Sequence, residues 1–392
     1  MKNILIVTHD IPSNSVGATI PFYHMINSLK DDYNLVLVSF SSGKYVLSDV
    51  TMYTIDIPEY KSLFKQLLFT LKNMFAFDNF KTRSFFNYYY QSCMSKLICD
   101  VIDKENIDLI ISDLPMAFYT RNIDIPKIVY AFDAVSAYDK EMFLKEESLF
   151  GKFYWFMQYQ KMLRYEKLYN CYDVCFVVNN RDKRLLEDHV NDTSILVVAN
   201  GVDTNYFTSQ VGGGSKKLVF LGDMGTPPNV DAILYFYNEI YPLILKKELI
   251  ELVVVGRNPV DAVRRLGNCE YITVTGEVDD VRKYLCKDSI FIAPMISGIG
   301  IKNKILEAMA MELPVITTSK GVNGIDAVSG EHLFIVDDCE DFAECIISLY
   351  SDSVLCDTVG LNARLFVEEL YSWFNAMRII KREIDLLVNK EV

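Results

Sequence analysis

The chain has 392 residues, 51% of them hydrophobic, and a formal net charge of −13. That length favours two domains with sizeable cores, and the apolar content excludes a disordered chain. The acidic balance disfavours a nucleic-acid binder, so a phosphate-handling site has to be a local basic spot.

The opening MKNILIVTHD is too short for a signal sequence and predicts a first strand over Ile4–Thr8. His9, just after it, reads as structural or loop-capping. Gly17 reads as a turn glycine before a helical pattern over Pro21–Leu29. Further strands are predicted at Asn34–Phe40, Leu109–Ser112, Lys127–Ala131, Val174–Val178 and Ile195–Val198. Between the second and third, Lys61–Tyr90 interleaves aromatics such as Phe64, Phe69, Phe75 and Phe86 with Lys61, Lys65, Lys72, Lys81 and Arg83. Two readings stand open there: a helix packed on its own domain, or a surface touching anionic lipid headgroups. Asp133, after the strand at Lys127–Ala131, reads as a helix N-cap.

Gly212, Gly213, Gly214 and Ser215 then signal a linker. Strands resume at Leu218–Leu221, Glu251–Val255, Ile272–Thr275, Ile290–Pro294, Val315–Thr318 and Leu333–Val336. Continuous Val/Ile/Leu runs separated by helical patterns argue parallel sheets covered on both faces. The expected fold is α/β, with two Rossmann-like domains facing a cleft and ligand at the carboxyl ends of strands. The boundaries read as 1–205, a linker at 206–216, 217–372, and a last helix at 373–392 with Met377, Ile380, Ile384 and Leu387 at helical spacing. No apolar run approaches the roughly 18 residues that span a bilayer. The nine cysteines are scattered, and Cys171 and Cys175 have no second pair at zinc spacing. Reduced thiols in a soluble, cytoplasmic protein are therefore expected.

One stretch concentrates chemistry: GIGIKNKILEAMAMELPVI, residues 298–316, after a buried-strand pattern. A strand, a glycine loop and a helix present backbone N–H groups to an anion. Gly298 and Gly300 allow close backbone approach, and the helix N-terminus adds unpaired donors. Lys302 and Lys304 add full charges, which suits a diphosphate. Glu307, about a turn further in, has the geometry to accept two hydroxyls of a ribose diol. The plainer alternative is a Lys304–Glu307 surface pair at i, i+3 spacing. Arg257, ending a strand, is either a third cation for the site or an ordinary exposed loop arginine. The motif is neither G-x-G-x-x-G nor G-K-[ST], which disfavours an NAD-dependent dehydrogenase.

The pattern G-x-G-I-K-x-K-x-L-E-A-M-A-x-x-x-P-V-I resembles the donor motif of GT-B glycosyltransferases of the family-four type, in their exopolysaccharide sugar-transferase branch. VANGVDTNYF (198–207), FLGDMGTPPNVDAILYFYNEIYPLI (220–244), VTGEVDDVRKYL (274–285), LRYEKLYNCYDVCFVVNNRDKRLL (163–186) and the late YSW are similar to that family too. The likeness covers the C-terminal two-thirds well and the first 160 residues loosely. It implies retaining, metal-independent transfer of a hexose from a UDP, GDP or dTDP sugar, with no cofactor, to a glycan or lipid-linked acceptor in bacterial surface polysaccharide assembly. It also implies an acceptor-side first domain, a donor-binding second domain, and a last helix returning to the first. By position it implies catalytic roles for Lys302, Lys304 and Asp133. Donor contacts would come from Gly17, Arg257, Val278, Gly298, Gly300, Ile301, Asn303 and Glu307. Many members carry a glutamate where Ile299 stands, and an arginine and a lysine where Asp223 and Pro228 stand. Those departures leave two rivals in view: a nucleotide-sugar 2-epimerase, and a non-catalytic nucleotide-sugar-binding partner. The acidic pairs Asp279–Asp280 and Asp337–Asp338 read as solvated loops rather than metal ligands. A site at the inner face of the membrane fits a lipid-linked acceptor.

Overall fold

The computed structural model describes residues 1–14, 19–41, 47–56, 89, 91–209, 216–298 and 301–389. Two compact units emerge, one of Met1–Ala199 with Met377–Val392, the other of Asn200–Ala376. The Lys61–Tyr90 run lies outside the described residues apart from Tyr89, and so does the Gly212–Ser215 run.

The first unit is built on a seven-stranded parallel sheet in the order β3-β2-β1-β4-β5-β6-β7. Its strands are β1 (Asn3–Thr8), β2 (Asn34–Ser41), β3 (Thr51–Asp56), β4 (Leu109–Asp113), β5 (Lys127–Phe132), β6 (Val174–Val177) and β7 (Ser194–Val197). Ile4, Leu5, Ile6 and Val7 of β1 are fully buried, as central parallel strands covered on both faces must be. Strand β3 has no counterpart among the sequence expectations. It is an edge strand, TMYTID, whose residues are only half-buried or exposed, so it lacks the apolar run that announces the others.

Helix α1 (Ile20–Leu29) buries Phe22, Met25, Ile26 and Leu29, and carries Pro21 in its first turn, where a missing N–H costs nothing. Further helices are α2 (Ser92–Glu105), α3 (Val135–Lys145), α4 (Leu149–Glu166) and α5 (Asn180–Glu187). The residue capping α3 is Ala134, with no side-chain cap bond. Asp133 is therefore not the N-cap that the sequence suggested; a turn at the end of β5 intervenes.

The second unit holds a six-stranded parallel sheet in the order β10-β9-β8-β11-β12-β13. These are β8 (Lys217–Leu221), β9 (Glu251–Val255), β10 (Ile272–Gly276), β11 (Ser289–Ala293), β12 (Val315–Thr317) and β13 (Phe334–Ile335). Among its helices are α6 (Pro227–Tyr235), α7 (Asn303–Ala310), α8 (Cys339–Ser351) and α9 (Ser353–Leu370). The boundary falls at Ala199/Asn200, a few residues before the expected one. The cause is a short bridge: Val202 N donates to Tyr371 O at 2.7 Å, and Trp373 N to Val202 O at 3.4 Å, tying the chain after β7 to the end of α9.

The last helix, α10 (Trp373–Val388), starts in the second unit and ends in the first. Its stripe of Met377, Ile380, Ile384 and Leu387 is buried. Within the first unit, Lys381 Nζ reaches Asp32 at 2.6 Å, and the Tyr33 hydroxyl donates to Asp385.

Candidate functional site

Strand β11 is fully buried, and the chain leaves it through a loop that reaches α7. Gly298 in that loop has φ +103, a conformation that side chains rarely adopt. A Cβ there would stand 3.3 Å from Pro228 Cβ and 3.5 Å from Lys302 Nζ, so the glycine lets the loop lie against both. Gly300 and Ile299 fall outside the described residues. Lys302 is the residue before α7 and is extended, Ile301 is half-buried, and Asn303 opens the helix in an exposed position. Helix α7 buries Ile305, Leu306, Ala308, Met309 and Ala310. Lys304 and Glu307 occupy the remaining face, deeply set but still reached by solvent.

Lys304 does not bond to Glu307. Its Nζ donates to Asn229 Oδ1 at 2.8 Å and lies 4.3 Å from the centroid of the Phe220 ring. The Asn229 amide nitrogen in turn donates to Asp223 O at 3.0 Å and Thr226 Oγ1 at 2.8 Å, which fixes its oxygen toward the ammonium. Burial lowers Lys304 to about 7, the Lys302 charge adds to that, and Glu307 opposes it. Burial pushes Glu307 up to about 7, with Lys304 opposing. Burial also lowers Lys302. The Glu307 carboxyl has no hydrogen-bond or ion-pair partner among the described residues.

Arg257 follows β9 and is held by Asp223, Nε to Oδ2 at 2.8 Å, with its side chain 62% exposed. The amide of Gly225 and the Arg257 guanidinium hold the Asp223 carboxyl below its usual range. Asp223 stands where the resemblance leads one to expect an arginine. It recruits a guanidinium from the neighbouring loop instead. The loops after β8 and β9 nearly touch: Gly256 has φ +153, and a Cβ on it would fall 1.6 Å from Gly222 O. Val278 is half-buried in the loop after β10.

The fold thus gathers Gly298, Lys302 and Lys304, and links Lys304 through Asn229 and Asp223 to Arg257. Asn229 and Phe220 are the members that sequence reasoning missed. A polar residue two places into a proline-started helix was the available signal, since the first turn leaves orphan donors to be satisfied. Three members of the acidic pairs have structural work. Asp280 accepts from Arg282 N at 3.0 Å, Asp338 from Glu340 N at 2.8 Å, and Asp337 from Ser319 N at 2.9 Å. Among the described residues, no group of three or more His, Cys, Asp or Glu could hold a metal ion.

In the first unit, Gly17 lies outside the described residues. Asp133 follows Phe132, whose φ is +64. Asp133 N bonds back to Ala131 O at 2.9 Å, closing a γ-turn of the rare, strained hand around a bulky aromatic. Solvent reaches the Asp133 side chain, yet dense surrounding protein and the nearby Asp182 carboxylate raise it to about 6. His9 is tied to Asp113, Nδ1 to Oδ2 at 2.5 Å and backbone N to Oδ2 at 2.8 Å, which agrees with a loop-tethering role.

Residues 215–352 match the model of the family described as glycosyl transferases group 1. A 44.6 kDa protein from a cps region of Klebsiella pneumoniae is 22% identical over 295 residues, 72% of this chain and 71% of that one. The capsular polysaccharide biosynthesis glycosyltransferase CapM of Staphylococcus aureus is 30% identical over 158 residues, 38% of this chain and 40% of its own. In structure, the chain is similar to the Anabaena protein HepE solved with UDP, with a TM-score of 0.67, 13% identity, and 99% and 100% of the two chains covered. Together with the two parallel sheets, that likeness makes the fold GT-B.

Proposed function

We propose that this GT-B chain, which carries a glycosyl transferases group 1 domain over residues 215–352, moves a sugar from a nucleoside-diphosphate sugar to a hydroxyl acceptor in polysaccharide assembly. The cps and capsular relatives support the pathway class, and HepE, solved with UDP, supports a uridine nucleotide as the first donor to try. One observation carries the reading. At the mouth of α7, Lys302 and Lys304 stand beside the Glu307 carboxyl, which has no hydrogen-bond or ion-pair partner among the described residues, and all three are desolvated. One neutral amide oxygen does not neutralise the Lys304 charge, and a buried carboxylate without a donor is costly, so a ligand that is anionic at one end and hydroxylic at the other fits the place.

In this scheme Lys302, Lys304 and the loop amides hold the diphosphate, and Glu307 accepts from the ribose hydroxyls. As the bond from the sugar C1 to the phosphate oxygen breaks, negative charge grows on that phosphate. Each preorganised donor there contributes about 3–4 kcal/mol to lowering the barrier. The lysines supply that charge without a metal. Transfer proceeds with retention: the acceptor oxygen bonds to C1 on the face the phosphate leaves, and its proton passes to the departing phosphate oxygen. Asp133 and its unit receive the acceptor.

The test is calorimetric titration of UDP and UMP into the wild type and three variants. Lys302→Ala and Lys304→Ala should weaken UDP more than UMP, and Glu307→Gln should weaken both alike. Unchanged UDP affinity in both lysine variants overturns the assignment. A lipid-linked acceptor at a membrane surface is the partner this reading favours, supported by the exposed Leu149, Phe150 and Phe153 at the start of α4. No described helix is long and apolar enough to cross a membrane. The basic residues interleaved in the Lys61–Tyr90 run make co-sedimentation with anionic but not neutral vesicles the expected result; equal recovery with both, or none with either, removes the idea.

A further inference from the structure

We propose that His9, oriented by Asp113, is a sugar-hydroxyl contact of the first unit and forms part of its acceptor site. The inference rests on the glycosyl-transfer reading above. It starts from topology. Strands β2 and β3 lie on one side of β1, and β4 to β7 on the other, so the strand order reverses between β1 and β4. Open parallel sheets bind ligands outside the carboxyl ends of strands at such a reversal. His9 directly follows β1, and Asp113 ends β4.

The pair is more than a tether. Asp113 is 1% exposed and already accepts two backbone amides, His9 N at 2.8 Å on Oδ2 and Met116 N at 3.1 Å on Oδ1. An apolar side chain at position 9 would leave those bonds in place, so satisfying the carboxylate does not require an imidazole. The imidazole nevertheless gives its Nδ1 to Asp113, and the Tyr89 ring packs edge-on at 5.3 Å. Nε2 is left with no hydrogen-bond partner among the described residues. Burial works to lower the His9 pKa, and the charge and hydrogen bond of Asp113 outweigh it and raise it. A sugar hydroxyl both donates and accepts, so it suits Nε2 in either protonation state. Asp133, one strand further along at the end of β5, adds a carboxylate of the same use.

The experiment is NMR of the full chain labelled at its four histidines. The His9 ring signal is assigned by its loss in His9→Gln. If that variant does not fold, elimination with His24→Gln, His189→Gln and His332→Gln assigns it. UDP is added first; methyl glycosides of glucose, galactose and N-acetylglucosamine follow, with and without UDP. We expect the His9 signal to move with at least one glycoside and not with UDP alone. Asp113→Asn should abolish that movement while UDP affinity stays within about twofold. A His9 signal unmoved by every glycoside, or moved equally by UDP alone, overturns the proposal. Failure of UDP to bind the wild type condemns the donor reading instead, and the glycoside response is read independently of it.

Discussion

Lys304 and Glu307 sit where charge is penalised from opposite directions, and the signs can be followed with pH. Burial lowers Lys304 to about 7 in the fold from its ordinary 10.5. The unfolded chain then binds the extra proton between those values, so this group's cost is full below about 7 and fades as pH rises toward 10. Glu307 titrates at about 7 against 4.5. There the folded chain holds the extra proton, so the cost is absent below about 4.5 and complete above 7. Their sum is greatest near neutrality. In thermal melts at about pH 5, 7 and 9, the unliganded wild type should trail a Lys304→Met/Glu307→Gln double variant by most at the middle value. UDP needs the ammonium form, so its affinity should fall as pH rises through 7. Asn229 adds a second expectation. Asn229→Leu removes the one oxygen bonded to Lys304 Nζ among the described residues, and should weaken UDP about tenfold with a smaller effect on UMP. The two lysines and the glutamate were legible in the sequence because charges inside an apolar helix pattern are anomalous. Asn229 lies 75 residues from Lys304. Only the closing of β8 beside β11 brings them together, and no local pattern encodes that.

The elements show the same division. Buried central strands were readable because parallel pairing with both faces covered demands unbroken apolar runs. Edge strand β3 has no such demand, and its half-exposed TMYTID carries no signal. Turns at the carboxyl ends of strands were the least readable, and the proposed site draws on them. The γ-turn at Phe132 re-aims Asp133 against the intrinsic preference of an aromatic residue, so sequence reasoning placed Asp133 in a cap instead. Gly256 is the sharpest case. It follows β9 with φ +153, its missing Cβ making way for Gly222 O just after β8. Gly256→Ala has to push those two loops apart or strain its own backbone, and should cost about 3 kcal/mol in denaturant titration. The same shift displaces the Asp223–Arg257 pair and Asn229, so UDP affinity should fall along with stability. A stable variant with normal UDP binding would show that the loops have room that the backbone geometry denies them.

At the scale of the whole chain, α10 is the element whose sequence position and structural membership disagree most. It follows the second unit in order, yet from Met377 onward it belongs to the first. Its apolar stripe was legible from helical spacing alone; that the stripe serves the first unit was not, and came only from the resemblance. The physical reason is plain once the contacts are known. Ile380 and Ile384 are fully buried, and Lys381 and Asp385 bond to Asp32 and Tyr33, just after α1. The first unit therefore cannot complete its core until α10 has been made. Ile384→Ala should cost about 3 kcal/mol, the usual penalty for emptying a buried branched side chain. The loss should fall on one unit. The chain has two tryptophans, Trp155 in the first unit and Trp373 in the second. In Ile384→Ala with Trp373→Phe, the Trp155 fluorescence transition should move to lower denaturant. UDP binding, whose proposed contacts Lys302, Lys304 and Glu307 all belong to the second unit, should hold at its Trp373→Phe value. If UDP binding falls in step with the Trp155 transition, the two units unfold as one and α10 supports both.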